Sequence, residues 1–259
     1  MLLSARSLPF ILVLASFLAG TLPTWAQSET NPVFIARAEK AFQLAHANYL
    51  ANTNDLAGAA QFASACFDRS DFATNDSQRA IMAQLGVDAC RHLIARNPRS
   101  AAGHYYLAMN LGELAQAEAP SIAAYKLVHE VEREFKAAAE LDVSFDFAGP
   151  ARNLGELYFQ APGWPLSVGS KRKAKEWLDR AVVVAPGYPE NQLNLLEAHL
   201  KWRQREEAEK TLKALDALWP VARKQFTGEA REKDWVDWSA RRELLRGEFE
   251  RIYPAADGR

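Results

Sequence analysis

The chain has 259 residues, of which 49% are hydrophobic and 24% charged, with 31 Lys+Arg against 32 Asp+Glu. This composition excludes a disordered, collagenous or multi-span membrane protein. Acids and bases are balanced and interleaved, which leaves no footprint for the phosphate contacts that dominate nucleic-acid affinity, so no nucleic-acid partner is expected.

In chain order the first feature is an address. Arg6 is followed by the unbroken apolar or small-residue run Phe10–Leu18 and then Gly20. That run is too short to span a bilayer. Thr24 and Ala26 stand two apart ahead of Gln27, the small-residue spacing that a signal peptidase needs. The expectation is export to the periplasm, with cleavage after Ala26. An uncleaved anchor or a buried first helix is the alternative. No cysteine near that point marks a lipid attachment, and no integral membrane segment is expected after cleavage. The only cysteines are Cys66 and Cys90. An oxidising compartment favours a bridge between them. Hairpin geometry around Asp71–Asn75 opposes it, because it sets Cys90 several helical turns beyond Cys66. Either a disulfide or two buried thiols fits the sequence.

Every long segment after Asn31 favours the helical period over the strand period, and β-branched runs are short. Helices are predicted at 32–51, 54–70, 76–96, 100–117, 120–141, 147–160, 170–185, 189–202, 204–218 and 229–251. Proline-containing breaks at Asn97-Pro98, Gly149-Pro150, Pro162 to Pro165, Pro186 to Pro189 and Trp219-Pro220 are expected to end or separate them. The fold class is therefore all-α.

The array repeats itself. Asn110-Leu111-Gly112-Glu113-Leu114 recurs letter for letter as Asn153-Leu154-Gly155-Glu156-Leu157, and more loosely as Asn194-Leu195-Leu196-Glu197-Ala198. Such self-similarity marks a helical solenoid. The pattern resembles the tetratricopeptide repeat, with Leu-Gly-x2-Tyr in a first helix and Ala-x3-Phe-x2-Ala-x4-Pro in a second. One copy reads Leu195, Leu196, His199, then Ala208, Leu212, Leu215 and Pro220. The copy before it reads Leu154, Gly155, Tyr158, then Ala174, Leu178, Ala181 and Pro186, with extra residues between its helices. A weaker copy offers Leu107, Ala108 and Leu111, then Val131, Phe135, Ala138 and Val143, and a half-copy survives as Gly86, Cys90, Leu93 and Pro98. The resemblance implies an α-solenoid of antiparallel helix pairs with additional N- and C-terminal helices. The expected organisation is a leader (1–26), an N-terminal helix (27–53), a repeat domain (54–220) and a capping helix with tail (221–259).

Catalytic signatures are incomplete. His129-Glu130 begins like a zinc-protease helix, but Arg133 occupies the place of the second histidine. The Gly163–Lys171 segment mimics a phosphate loop with the wrong spacing, and Ser167 lacks the glycine two before it that a nucleophile elbow uses. No metal site and no cofactor are expected. Glu113, Glu156 and Glu197 could serve an all-α envelope hydrolase or lyase. A catalytic pair would then lie in a closed cleft with raised pKa, whereas carboxylates that merely recur with the repeat should be exposed and unperturbed.

Two places are candidates for binding. The insertion Ala161–Ser170 holds a tryptophan between two prolines, so Trp164 and Ser167 either line a binding surface or Trp164 folds back to seal helix pairs. In such solenoids the first helix of each pair lines the concave face. That places His104, Tyr105, Asn110, Arg152, Asn153, Glu156, Asn191, Asn194 and Glu197 there, with Arg152 the candidate for an anion or carboxylate and the repeat residue Tyr158 a further binding candidate. Trp219, Trp235 and Trp238 are expected to cap the last hydrophobic face.

The leader, the degenerate repeats and the proline/glycine-rich insertion also resemble the T-component proteins of periplasmic TRAP transporters, over about residues 76–220. That resemblance implies an accessory that associates with a solute-binding protein, forms trimers and passes a small organic ligand. The lipid-anchoring cysteine of that family is missing here, and helix 32–51 and the Trp-rich C-terminus fall outside its pattern. The expected function is a non-enzymatic exported repeat protein that binds a protein, peptide or small ligand, with a cell-envelope assembly scaffold as the alternative.

Overall fold

The structure is a computed structural model that describes residues 31–254. The leader and its cleavage point after Ala26 lie outside the described residues, as do residues 255–259. Among the described residues there are ten α-helices, α1 (Pro32–Ala51), α2 (Leu56–Ser70), α3 (Asp76–Arg96), α4 (Ala101–Ala117), α5 (Ile122–Leu141), α6 (Phe145–Gln160), α7 (Lys171–Val184), α8 (Pro189–Lys201), α9 (Arg205–Gln225) and α10 (Glu232–Ile252). A 3-10 turn, Glu229–Arg231, leads into α10.

Most of these helices start where a short polar side chain can accept from the first free backbone N–H groups. Asn31, Asp55, Asn75, Ser100, Ser121 and Ser170 each do so. Pro32 and Pro189 occupy first-turn positions, where a missing N–H costs nothing.

From α1 to α9 each helix packs on its neighbour in sequence, and α2, α4, α6, α8 and α10 also pack successively on one another. The intervening helices α3, α5, α7 and α9 make no comparable contact among themselves. A double layer whose members touch on one side only is curved toward that side, so the even-numbered helices form the inner, concave layer.

Burial follows the layers. On α7 only Ala174, Leu178 and Ala181 are buried, which are the three repeat-motif positions. On α6 every residue from Ala148 through Tyr158 is buried, since it has α4 and α8 on its flanks and α7 behind. Gly155 permits that approach. A Cβ there would stand 2.6 Å from the Leu178 side chain and 3.1 Å from its backbone nitrogen, too close for backbone to yield cheaply.

Helix α9 departs from the sequence expectation. It does not stop at Trp219-Pro220 but runs through Pro220 to Gln225. Proline forfeits one ladder hydrogen bond at that point. The buried positions Ala208, Leu212, Leu215 and Ala222, with Phe226 just beyond, keep one apolar stripe going past it into the C-terminal core of Tyr188, Trp235 and Trp238. Burial of that stripe outweighs the lost bond. Trp219 packs partly buried against the same core, edge-on to Trp235 at 5.3 Å, and the Trp235 indole N–H donates to the Phe226 carbonyl at 2.6 Å. The larger core lies around α2 to α6 and includes Cys66 and Cys90, both free thiols and both buried. Burial pushes both thiols well above their ordinary pKa.

Candidate functional site

The inner layer is organised around a turn beside the expected Gly149-Pro150 break whose left-handed conformation the sequence did not announce. Asp146, Phe147 and Ala148 all have positive φ (51°, 54° and 66°), interrupting α6 just before Gly149-Pro150. Non-glycine residues in this region cost about 1 kcal/mol or more each, so three in a row persist only if the surroundings over-determine them. Arg152, one turn on and fully buried, supplies much of that constraint. Its Nη1 donates to the carbonyls of Asp146 (3.3 Å) and Phe147 (3.1 Å) and to the Asn191 side chain (3.3 Å), and its Nη2 reaches Asp146 Oδ2 at 3.2 Å. Its Nε lies 3.8 Å from Glu190, and its guanidinium sits 5.0 Å over the Tyr188 ring.

Asn191 ties the same turn to α7, donating to the carbonyls of Phe147 (3.1 Å), Ala181 (3.1 Å) and Ala185 (3.0 Å). The Phe147 ring stacks on Tyr188 at 4.9 Å with an interplanar angle of 7° and meets Phe226 edge-on. On the α4 side, Tyr105 donates its hydroxyl to Asp146 at 2.7 Å, and the Asn153 amide donates to Tyr105 at 3.1 Å. One Asp–Arg pair thus joins α4, α6 and α8, and the Arg152 guanidinium is engaged by groups of its own chain.

The three asparagines of the repeated pentapeptide are all buried, yet used differently. Asn110 donates to the carbonyls of Ala63 and Tyr106. Asn153 serves Tyr105. Asn194 makes no hydrogen bond through either amide atom. The three glutamates of the same motif also diverge. Glu113 accepts from Arg79 at 2.6 Å, and Glu197 accepts from Arg241 of α10 at 2.7 Å. Glu156 keeps one oxygen without a hydrogen-bond partner.

Glu113 and Glu156 overturn the expectation that repeat glutamates are exposed and unperturbed. Burial first, and then neighbouring Asp71, raise Glu113 to about 7 despite the Arg79 pair. Burial and the nearby Glu197 raise Glu156 to about 8. Asp146 rises to about 7 because burial outweighs the pull of Arg152. The cause is the all-round enclosure of α4 and α6, which a repeat motif alone does not reveal.

The remaining sequence-derived candidates fall elsewhere. Tyr158 points to the outer layer, donating to Glu132 of α5 at 2.6 Å with Lys173 4.8 Å over its ring. His104 also turns outward, to Glu134 of α5 at 2.6 Å. Ser167 is buried and Trp164 is exposed, so Trp164 does not seal the helix pairs. Arg152 and Asn191 come together, Asn194 and Glu197 follow along α8, and Tyr158 and the insertion lie apart from them. Sequence reasoning missed Asp146, Tyr188, Glu190 and Arg241. Asp146 takes a left-handed conformation that its own residue type does not flag, and Arg241 is too distant in sequence for periodicity to pair it with α8. Among the described residues no group of three or more His, Cys, Asp or Glu could hold a metal ion.

No family model matches the sequence, and no curated protein matches it. Among solved structures the chain is similar to TTC0263, described as a thermophilic TPR protein of Thermus thermophilus, at 15% identity, TM-score 0.54, and coverage of 88% of this chain and 96% of that one. The fold is that of a tetratricopeptide-repeat solenoid. A second similar structure, PilF of Pseudomonas aeruginosa, covers 85% of this chain and 93% of that one at 16% identity and TM-score 0.42. In tetratricopeptide terms α2/α3, α4/α5, α6/α7 and α8/α9 are the helix pairs, and α10 is a further inner helix that closes the last one. The inserted loop lies inside the α6/α7 repeat, between its two helices. No helix among the described residues is long and apolar enough to cross a membrane.

Proposed function

We propose that this protein is an exported, non-enzymatic tetratricopeptide-repeat protein that holds a protein partner at the part-exposed edge of its inner layer, where Glu197 of α8 reaches the surface. The observation that carries the reading is the continuous inner layer from α2 to α10, fixed in shape by the buried Asp146–Arg152–Asn191 network. A face set in advance by its own packing loses little freedom when a partner settles on it. The non-enzymatic part rests on the way the acids are used. Glu113 and Glu197 are each engaged by an arginine of the same chain, and Glu156 sits in the packing between repeats. Export is supported by the pattern of residues 1–26. The finer reading, an accessory to a periplasmic solute transport system that meets a solute-binding protein and a small organic ligand, is supported by the T-component resemblance over residues 76–220.

The test is affinity capture from the envelope extract with mass spectrometry, run in parallel on the wild type and Glu197→Ala. Glu197 lies on the inner helix α8 and is partly exposed. A protein retained by the wild type and lost from a helical, folded Glu197→Ala variant is the expected result. Retention of no protein, combined with turnover of envelope polysaccharide by the purified chain, overturns it in favour of a hydrolase or lyase.

A further inference from the structure

The insertion between α6 and α7 is built as a rigid base with an apolar tip. At the base, Gly169 donates to the Pro162 carbonyl at 2.9 Å, Ser170 to the Tyr158 carbonyl at 2.9 Å and Leu166 to the Gly163 carbonyl at 3.1 Å. Ala161 and Ser167 are buried, and Val168 packs against the main core. Gly169 is needed there, because a side chain would run into the Ala161 carbonyl. At the tip, Trp164 is 89% and Leu166 67% exposed. The other described tryptophans, Trp177, Trp202, Trp219, Trp235 and Trp238, are all buried or half-buried. Holding a large ring in water on a braced loop serves no packing purpose.

Directly behind the tip come Lys171, Arg172, Lys173 and Lys175, in the opening turns of α7. The acids of the same stretch are Glu176 and Asp179, which face Arg172 at 3.5 Å and Lys175 at 2.7 Å. Lys173 also faces Glu132 at 3.6 Å, and Lys171 lies 5.3 Å over the Trp202 ring. Four cations meet three acids, Glu132, Glu176 and Asp179, which leaves a net positive charge beside the tip.

We propose that this loop and the start of α7 dock onto an anionic lipid surface, with Trp164 and Leu166 entering the headgroup boundary and the cations meeting the headgroups. A convex tip without walls must find a pocket in any protein partner, whereas a bilayer yields to it and requires no shape complementarity. Tryptophan favours that boundary because its ring is amphipathic, and basic residues next to it add attraction to anionic lipid. This docking is independent of the inner-face reading and uses a different part of the molecule.

The test uses the full chain with Leu166→Cys carrying an environment-sensitive fluorophore, and a control label at Val183→Cys, 78% exposed at the far end of α7. The buried native thiols Cys66 and Cys90 do not compete for the label. With phosphatidylcholine vesicles containing phosphatidylglycerol, the label at 166 is expected to shift to the blue and brighten, and the label at 183 to stay unchanged. Pure phosphatidylcholine should give little response, and added salt should reverse the shift. Lys171→Gln/Arg172→Gln/Lys175→Gln should weaken vesicle binding by at least about tenfold, and Trp164→Ala should abolish the shift. No shift with anionic vesicles overturns the proposal, as does an equal response from both labels, which would report attachment through another part of the chain. A shift produced by polyglutamate but not by vesicles overturns it in favour of an acidic protein.

Discussion

The inner and outer helices of this solenoid are the two halves of each repeat but stabilise it by different means. Outer helices bury a narrow apolar stripe and leave the rest in water, as Ala174, Leu178 and Ala181 of α7 illustrate. Inner helices are enclosed on nearly every side and must bury polar groups, including Asn110, Glu113, Arg152, Asn153, Glu156, Asn191 and Asn194. Outer-layer stability therefore rests on transfer of apolar area, whereas the inner layer depends on mutual satisfaction of polar groups, where losing one partner strands the other.

The sharpest way to break the comparison is Arg152→Met. It leaves Asp146 buried without its cation and releases the left-handed turn, and should cost about 3–5 kcal/mol in denaturant unfolding. Adding Asp146→Asn to that variant should recover part of the loss, because a neutral amide replaces a buried carboxyl that has lost its cation. An outer-layer counterpart, Leu178→Ala, should cost about 3 kcal/mol through cavity formation, with no change in how stability varies with pH. Asn191→Ala unties α6 from α7 and should cost about 1–2 kcal/mol, leaving the carbonyls of Ala181 and Ala185 with their backbone donors alone.

The pH response separates the layers further. Asp146, Glu113 and Glu156 have folded-state values of about 7, 7 and 8, above those of an unfolded chain. The folded state thus binds more protons than the unfolded one between roughly pH 4 and 8. Stability should be greatest at the acid end of that window and fall as pH rises through the folded-state values. Glu156→Gln should flatten the upper part of this fall, read as melting temperature against pH. The smallest effect belongs to Trp164→Ala, which should alter stability by no more than about 0.5 kcal/mol, since the ring lies almost wholly in water.

The same contrast explains what was legible beforehand. The outer stripe could be read letter by letter, because one-sided burial writes a one-sided pattern, and Ala208, Leu212 and Leu215 of α9 lie where the repeat spacing puts them. Most helix positions followed from caps and prolines to within a residue or two. Pro220 misled because the local rule for proline was overridden by an apolar stripe that continues beyond it. The inner site was half visible. Arg152, Asn191, Asn194 and Glu197 stand out as polar residues at repeat positions. Their partners Asp146, Glu190 and Arg241 do not, since nothing periodic links a left-handed turn or a distant last helix to them. The exposure of Trp164 was one of two alternatives that the proline-flanked loop left open, and only the packing of its neighbours decides between them.

Two ion pairs between the ends of the array change how it can vary. Arg37 of α1 donates to Glu232 of α10 at 2.6 Å across 195 residues, and Lys233 lies 3.8 Å from Asp71 in the turn after α2. An open solenoid is modular, in that a helix pair can be gained or lost with only nearest neighbours affected. Here the first helix and the last form a clasp, so each added pair would rotate α10 out of register with α1. The number of repeats is thereby a property of the whole molecule, and duplicating or deleting one pair would open a seam that no neighbouring pair could close.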